Sequence, residues 1–342
     1  MIFTERRVSI RGEETKPLSF ARRGAKWILA LQQRDGSLRD TECLEAYYKA
    51  PFGLVVAGYN LQAERMLDYI ENTFLQSDGD LDGRGVEWWE QFRTYPHAWL
   101  TIAALMRGRF RIVHSLLRIL LAYHDEPSGG FFTSTESSKL RAGHQEIMTT
   151  SLAGLACLWA GRVDVATRAG GWLHRIWEAQ PDASKGLYQA WDTRTGLITE
   201  FPASEAKSYF VDALQPAQWY FQYGISAAFL SALAASTQAN QWLELAHNFL
   251  YASKYCREDV YRRPASGKIG WGAAWCYRLS GDAADREICL AVIEGLGDLQ
   301  NNDGSWSATG VRRDKSAPGS VADIDVTAEF TGLLGAMAMV VQ

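Results

Sequence analysis

From residue 20 onward the chain alternates two kinds of apolar segment. In the first kind, apolar side chains recur every three or four positions with charges on the opposite face. The stretch "LQAERMLDYIENTFL" (61–75) aligns Leu61, Met66, Leu67, Ile70 and Phe74, and "RFRIVHSLLRILLAY" (109–123) aligns Ile112, Leu116, Leu117 and Leu120. In the second kind, such as "AWLTIAALMRG" (98–108), the segment is apolar nearly all round, which predicts a helix buried on every side. Strict alternation of the β type is scarce.

The two kinds occur in order: a Gly-containing turn, an apolar helix, a short break, then an amphipathic helix. The breaks "VAGYNLQAE", "MRGRFRI", "WAGRVDVA", "ASTQANQW" and "LSGDAADRE" each offer a small or polar residue where one helix ends and the next begins. Apolar helices are predicted at about 42–57, 95–107, 144–160, 215–234, 266–279 and 323–340. Five are followed by an amphipathic partner, whereas the last, ending "TGLLGAMAMVVQ", is not. The unpaired amphipathic helix lies at the other end, "FARRGAKWILALQQ" (20–33). Pairing this N-terminal outer helix with the C-terminal inner helix predicts an all-α fold, an (α/α)6 toroid. No Pro/Gly/Ser-rich linker divides the chain, so one domain is expected over 1–342. It has a short N-terminal arm (about 1–18) and a long lid-like loop (about 185–215).

With 342 residues, 47% of them hydrophobic and 22% charged, the chain can bury a large core. A net charge of −4 without a basic stripe argues against nucleic acid as a partner. No stretch approaches the ~18 uncharged apolar residues of a membrane span. The first twenty residues hold no apolar run suited to a signal peptide, so a cytoplasmic location is expected. Cys43, Cys157, Cys256, Cys276 and Cys289 form no CxxC pair, which disfavours a disulfide framework and a Cys-based zinc site. The aromatic content changes the picture most. Thirteen Trp, 14 Tyr and 14 Phe include several in turn-rich segments, "VEWWEQF", "YQAWDT", "AQWYFQY" and "GKIGWGAAW". They line a cavity or pack beneath long loops.

Two phrases match across the chain, "LQQRDGSL" (31–38) and "LQNNDGSW" (299–306). Asp caps such a turn, Gly takes positive φ, and the apolar residue plugs the hairpin. "ADIDVTAEF" (322–330) follows the second phrase at the start of the last inner helix. Together these resemble the QxxDGSW repeats and the DxDD-T-A acid motif of the terpenoid cyclase and protein prenyltransferase toroids. Asp323, Asp325, Thr327 and Ala328 match the motif, and Val326 replaces its last Asp. The resemblance implies that Asp325, with Asp323 beside it, donates a proton to an alkene or epoxide. The missing carboxylate weakens that acidity. Read without the resemblance, Asp323 or Asp325 is a helix N-cap.

Two further constellations open inner helices: "EWWEQFRTYPHAW" (87–99), with Glu87, Glu90, Arg93 and His97, and "RAGHQEIMTT" (141–150), with His144 and Glu146. Inner-helix N-termini share one mouth in a toroid, so these groups should converge with Asp325, Glu42, Glu45 and Tyr48. A carboxylate and an imidazole placed there serve as general acid and base; a His taken alone is more often a cap or a solvated residue. The catalytic candidates are Asp325, Asp323, His97, His144 and Glu146. Substrate-binding candidates are Tyr48, Trp88, Trp89, Tyr95, Trp271 and Trp306. The lid-like loop and the segment after it add Trp191, Tyr209, Gln218, Trp219 and Tyr223, and Lys268 is expected to face the same space as Trp271.

No HxxxH helix and no Gly-rich phosphate loop occurs, so neither metal nor cofactor is expected. "DGDLDG" (78–83) reads as a solvated loop. The expected partner is a hydrophobic small-molecule substrate, with no nucleic acid and no membrane span. The leading functional expectation is an isomerase or cyclase of secondary metabolism, folding a polyene, terpenoid or polyketide against aromatic walls. The alternative is a carbohydrate-active (α/α)6 hydrolase, lyase or epimerase with paired carboxylates in a Trp-lined cleft. A third reading is a non-catalytic toroid that binds a ligand or a protein.

Overall fold

The computed structural model describes residues 15–313 and 319–340. The helices run in chain order as α1 (Lys16–Leu31), α2 (Ala50–Val56), α3 (Asn60–Thr73), α4 (Thr94–Met106), α5 (Phe110–Tyr123) and α6 (Thr135–Leu140). They continue as α7 (Ile147–Trp159), α8 (Val163–Glu178), α9 (Phe221–Thr237), α10 (Asn240–Ala252), α11 (Gly267–Ser280), α12 (Ala283–Leu299) and α13 (Val321–Ala338). Helices α2, α4, α7, α9, α11 and α13 pack in that order, and α13 returns to α2, so the inner ring is closed. Outside it, α3, α5, α8, α10 and α12 each pack on the inner helix that precedes them in sequence. The sixth outer position is filled by α1, which packs on α13. The predicted all-α toroid and its pairing of chain ends are both present.

Burial explains the two helix types. Along α4, α7 and α9 nearly every residue is buried, because neighbouring inner helices and the outer ring cover all sides. Outer helices bury one face; α5 buries Ile112, Val113, Leu116, Leu120 and Tyr123 and exposes Phe110, Arg111, His114 and Arg118.

The repeated phrase is one turn built twice. Asp35 Oδ1 accepts from Ser37 N (3.0 Å) and Ser37 Oγ (2.7 Å), and Asp303 Oδ1 accepts from Ser305 N and Oγ at the same two distances. Gly36 and Gly304 both hold positive φ, +92° and +97°. Each turn lies against the next outer helix round the ring. The turn at 36 touches Arg65 of α3, and a Cβ at position 304 would stand 2.6 Å from the Arg23 carbonyl oxygen of α1. Gln300 Nε2 donates to Phe20 O (3.0 Å) and Arg23 to Asn301 O (2.9 Å), fastening the last turn onto the first helix.

Three boundaries differ from expectation. The first inner helix, expected from 42, starts at Ala50 after a 3-10 turn (Leu44–Ala46), because Pro51 is tolerated only in a helix's first turn. The third starts at Ile147, since Glu146 caps it and His144–Glu146 is strand β1. The fourth starts at Phe221, beyond Pro216 and an Ala217 at φ +59°. The lid-like loop carries structure of its own. Strands β2 (Gly186–Tyr188), β3 (Ala190–Asp192), β4 (Gly196–Leu197) and β5 (Phe210–Asp212) form two small antiparallel sheets, β1-β3-β4 and β2-β5. The expected N-terminal arm lies largely outside the described residues, and α1 already begins within it at Lys16. No described helix is long and apolar enough to cross a membrane.

Candidate functional site

The inner helices direct their N-termini at one mouth, and a cavity of about 530 Å³ opens there. Tyr48, Trp88, Phe92 and Tyr95 form one aromatic wall, Trp219 and Phe221 stack on one another, and Phe330 adds a further ring to the lining. Within the first, Tyr48 meets Trp88 and Tyr95 edge-on, at 6.0 and 5.8 Å between ring centroids. Gln189 and Ser208 reach the cavity from the segment between α8 and α9, so the sheet-bearing insert forms part of its lining.

Charges also line this cavity. Lys49, just before α2, places Nζ 2.7 Å from Asp325 Oδ2 and 2.6 Å from Glu329 Oε2, both on α13. Lys268 of α11 pairs with the other Glu329 oxygen at 2.5 Å. All four side chains are buried. Burial opposes charge on Glu329, but the Lys268 and Lys49 ammoniums outweigh it and hold the carboxyl at about 2. Burial raises Asp325 above the ordinary carboxyl range; Lys49 opposes the rise and Glu329 adds to it. Burial disfavours charge on Lys49 too, yet Asp325 and Glu329 hold its pKa well above the lysine norm.

Two more carboxyls complete the set. Glu45 is half-buried, accepts from Trp88 Nε1 (3.3 Å), and is raised by burial and then by the charge of Asp325. Glu146 is raised by burial, although it caps α7 by accepting from Met148 N (3.1 Å) and Thr149 N (2.5 Å). Three lining residues carry a buried oxygen with no hydrogen-bond partner: Asp325 Oδ1, Gln189 Oε1 and Gln222 Oε1. The amide nitrogens of both glutamines are engaged, with Lys207 O at 2.5 Å and Glu146 Oε2 at 3.5 Å. The Tyr48 hydroxyl favours the charged form of Asp325 without closing a hydrogen bond to Oδ1.

Of the expected catalytic residues, Asp325 and Glu146 line the cavity. His97, His144 and Asp323 are placed elsewhere. His97 is fully buried with Nε2 on Asp80 Oδ1 (2.8 Å) and Nδ1 on the Arg93 carbonyl (2.9 Å), so both ring nitrogens are engaged. His144 is exposed on β1, edge-on to Tyr209. The N-cap of α13 is Ser320; Asp323, three residues on, closes the capping box by accepting from the Ser320 backbone and pairs with Arg313 (2.8 Å), so it serves the helix start without being the N-cap itself.

Among the expected binding residues, Tyr48, Trp88, Tyr95 and Trp219 line the cavity. Trp89 packs on His97 and Arg93. Trp271 stacks on Trp99, and Trp306 is buried with Nε1 donating to Leu296 O (2.7 Å). The Tyr223 hydroxyl meets Cys256, while Gln218 accepts from Asp212 N (3.3 Å). Trp191 pairs across β1–β3, and Tyr209 stacks on Phe201. Lys49, Glu329, Gln189 and Gln222 were not anticipated. Glu329 had a signal: it follows Asp325 by four residues, on the same face of an otherwise apolar helix.

The expectation of a purely hydrophobic substrate does not fit a cavity lined by four paired buried charges. Among the described residues, the one group close enough to share a metal is His247, Cys276 and Asp285. There Asp285 already accepts from His247 (2.9 Å), Tyr251 (2.9 Å) and Ser280 (2.8 Å).

No protein-family model matches the chain, and no curated protein matches it in sequence. Solved structures do match in shape. A D-mannose isomerase superposes with a TM-score of 0.67 at 14% identity, covering 95% of this chain and 99% of that one. An inactive variant of the α-1,6-mannanase GH76A of Salegentibacter sp. HEL1_6, in complex with α-1,6-mannotetrose, gives 0.66 at 12% identity over 95% and 99%. The type II terpene cyclase MstE from Scytonema, in complex with geranylgeranyl dihydroxybenzoate, gives 0.58 at 15% identity over 95% and 98%. The likeness is one of fold. At these identities it supports the toroid and assigns no residue a role.

Proposed function

We propose that the chain is a carbohydrate-active enzyme that takes a saccharide into the aromatic-walled cavity and cleaves a glycosidic bond by carboxyl acid–base chemistry. The observation that carries this reading is the trio of partnerless buried oxygens on Asp325, Gln189 and Gln222. A buried acceptor without a donor costs about 1–3 kcal/mol. A ligand rich in hydroxyls carries donors of the kind these oxygens lack, and a hydrocarbon carries none. Aromatic walls suit both ligands, so they do not discriminate. Two of the solved neighbours, the mannanase and the mannose isomerase, are named for sugars, which adds support.

In this reading Glu45, half-buried and raised, holds a proton and gives it to the glycosidic oxygen as the bond to the anomeric carbon breaks. Asp325 takes a proton from the water whose oxygen bonds to that carbon. Burial increases the proton affinity of Asp325. When Asp325 becomes neutral, Lys49 stays paired with Glu329, so no ammonium is stranded in the interior.

The test is a panel of manno- and gluco-oligosaccharides and free hexoses, with products followed by anion-exchange chromatography and NMR. Turnover of at least one saccharide is expected. Glu45→Gln and Asp325→Asn should each lower it at least ~100-fold, as expected for loss of a general acid or base, with circular dichroism unchanged. Full activity in Asp325→Asn, or cyclisation of a polyprenyl substrate with every saccharide untouched, would overturn the proposal.

A further inference from the structure

At the end of the ring away from the cavity, polar side chains from four helices meet between two neighbouring hairpins. Cys276 and Ser280 lie in the second half of α11, Asp285 in the first turn of α12, His247 and Tyr251 on α10, and Ser231 on α9. None of them lines the cavity. One ligand atom from each of His247, Cys276 and Asp285 lies within 4.8 Å of the other two. Cys276 and Asp285 are buried, while His247 is partly exposed and opens the group to solvent.

Asp285 is the centre of this group. Elsewhere the buried carboxylates Asp325, Glu329 and Asp323 each meet a lysine or arginine. Among the described residues, the only ion-pair partner of Asp285 is the His247 imidazole. Tyr251 donates to its Oδ1 (2.9 Å), and His247 Nε2 (2.9 Å) and Ser280 Oγ (2.8 Å) lie on its Oδ2. The start of α12 adds only the partial charge of its amides. A fully buried carboxylate gains most from a partner of full charge, and a cation in place of the proton between His247 and Asp285 is such a partner.

The donor set selects the ion. Magnesium and calcium take oxygen ligands, whereas thiolate, imidazole and carboxylate together suit zinc in a tetrahedral site. Atoms bound to one zinc at ~2.0–2.3 Å stand roughly 3.2–3.7 Å apart. The three atoms therefore close onto an ion through side-chain shifts on the order of 1 Å. Support from outside the ligand set is also present. Tyr251 fixes the carboxylate through Oδ1, and Ser231 Oγ, 3.3 Å from Cys276 Sγ, can donate to a thiolate.

We propose that His247, Cys276 and Asp285 bind a zinc ion that ties α10, α11 and α12 together, with water beside His247 as the fourth ligand. Coordination sends the Cys276 thiol proton to solvent. The His247 proton moves from Nε2 to the other ring nitrogen, so that the Nε2 lone pair faces the ion, and Asp285 stays ionised. No motif along the chain announces the set, because its ligands stand on three different helices.

The experiment titrates Co2+, as a spectroscopic stand-in for zinc, into the chelator-treated full chain. Saturation at one equivalent is expected, with a near-ultraviolet thiolate-to-cobalt charge-transfer band that Zn2+ then displaces. Zn2+ should also raise the Tm. Cys276→Ser should lose the band, and His247→Gln and Asp285→Asn should each weaken Zn2+ binding at least ~10-fold. Circular dichroism of the metal-free variants checks folding. Should Asp285→Asn not fold, the near-isosteric Cys276→Ser and the half-exposed His247→Gln decide the matter. No charge-transfer band in the wild type, a band unchanged in Cys276→Ser, or an equal Zn2+-induced rise in Tm in the wild type and His247→Gln overturns the proposal. Each of these results leaves the saccharide reading as it stands.

Discussion

Glu329 is the charge on which the cavity floor turns, and replacing it with Gln tests the electrostatics of the site independently of any ligand. The substitution keeps the shape of the side chain but leaves Lys268, 4% exposed, with no charged partner. Lys49 retains Asp325. Breaking a buried ion pair from one side costs ~3–5 kcal/mol. A second route gives a consistent figure: holding the carboxyl at about 2 rather than 4.5 corresponds to ~3 kcal/mol of differential interaction. With an unfolding entropy of ~2.1 cal/mol/K per residue, a chain of this length loses ~4–7 °C in Tm for that range. The assay is thermal and urea unfolding of the wild type, Glu329→Gln, Lys268→Met and the double variant Lys268→Met/Glu329→Met. The double variant strands no ammonium and keeps the Lys49–Asp325 pair, so it should recover to within ~1 kcal/mol of the wild type. If Glu329→Gln melts with the wild type, or if the double variant loses the sum of the two single losses, the floor is not held by paired charge as described.

Two further predictions concern the pH dependence of the same carboxyl and the last rim turn. Because the Glu329 pKa is depressed on folding, its contribution is present above 4.5 and is lost as pH falls through about 2, so the wild type should lose more stability over that window than Glu329→Gln does. Urea titrations at stepped pH measure the difference. Gly304→Ala combines a φ of +97° with a Cβ 2.6 Å from the Arg23 carbonyl, and should destabilise by ~2 kcal/mol or more, whereas Gly171→Ala, with open space around it in α8, should not destabilise.

The ring was legible in the sequence because its logic is local. Each inner helix declares itself by being apolar on all sides, and each outer helix by a single apolar face. The count of one unpaired helix at each end then closes the circle. The site was less legible because its key contacts join residues far apart in sequence. Lys49 and Asp325 are partners across almost the whole chain, and nothing near Lys49 in "YYKAPF" announces an acid 276 residues away. Asp325 and Glu146 were found because they stand at the openings of inner helices. His97 stands at another opening yet turns to Asp80, within the "DGDLDG" stretch that reads as a solvated loop; there His97 and Arg93 depress the Asp80 carboxyl against its burial. The Trp residues misled for a related reason. Trp271 and Trp306 sit next to rim turns but point into the helix packing, and adjacency along the chain does not specify which way a ring faces.

The seam between α1 and α13 has a consequence for the birth of the protein on the ribosome. Helix α1 emerges first, but the surface it rests on belongs to α13 and to the turn after α12, the last parts of the described chain to be made. At ~5–20 residues per second, that partner arrives some tens of seconds later. Until then α1 exposes the face that later buries Ala21, Ala25 and Ile28, and the inner ring is an open arc. The hairpins between can dock on one another as they appear, but closure is a single late event joining the first described helix to the last. During that interval the nascent chain presents the apolar stripe of a helix that has formed before its resting place exists.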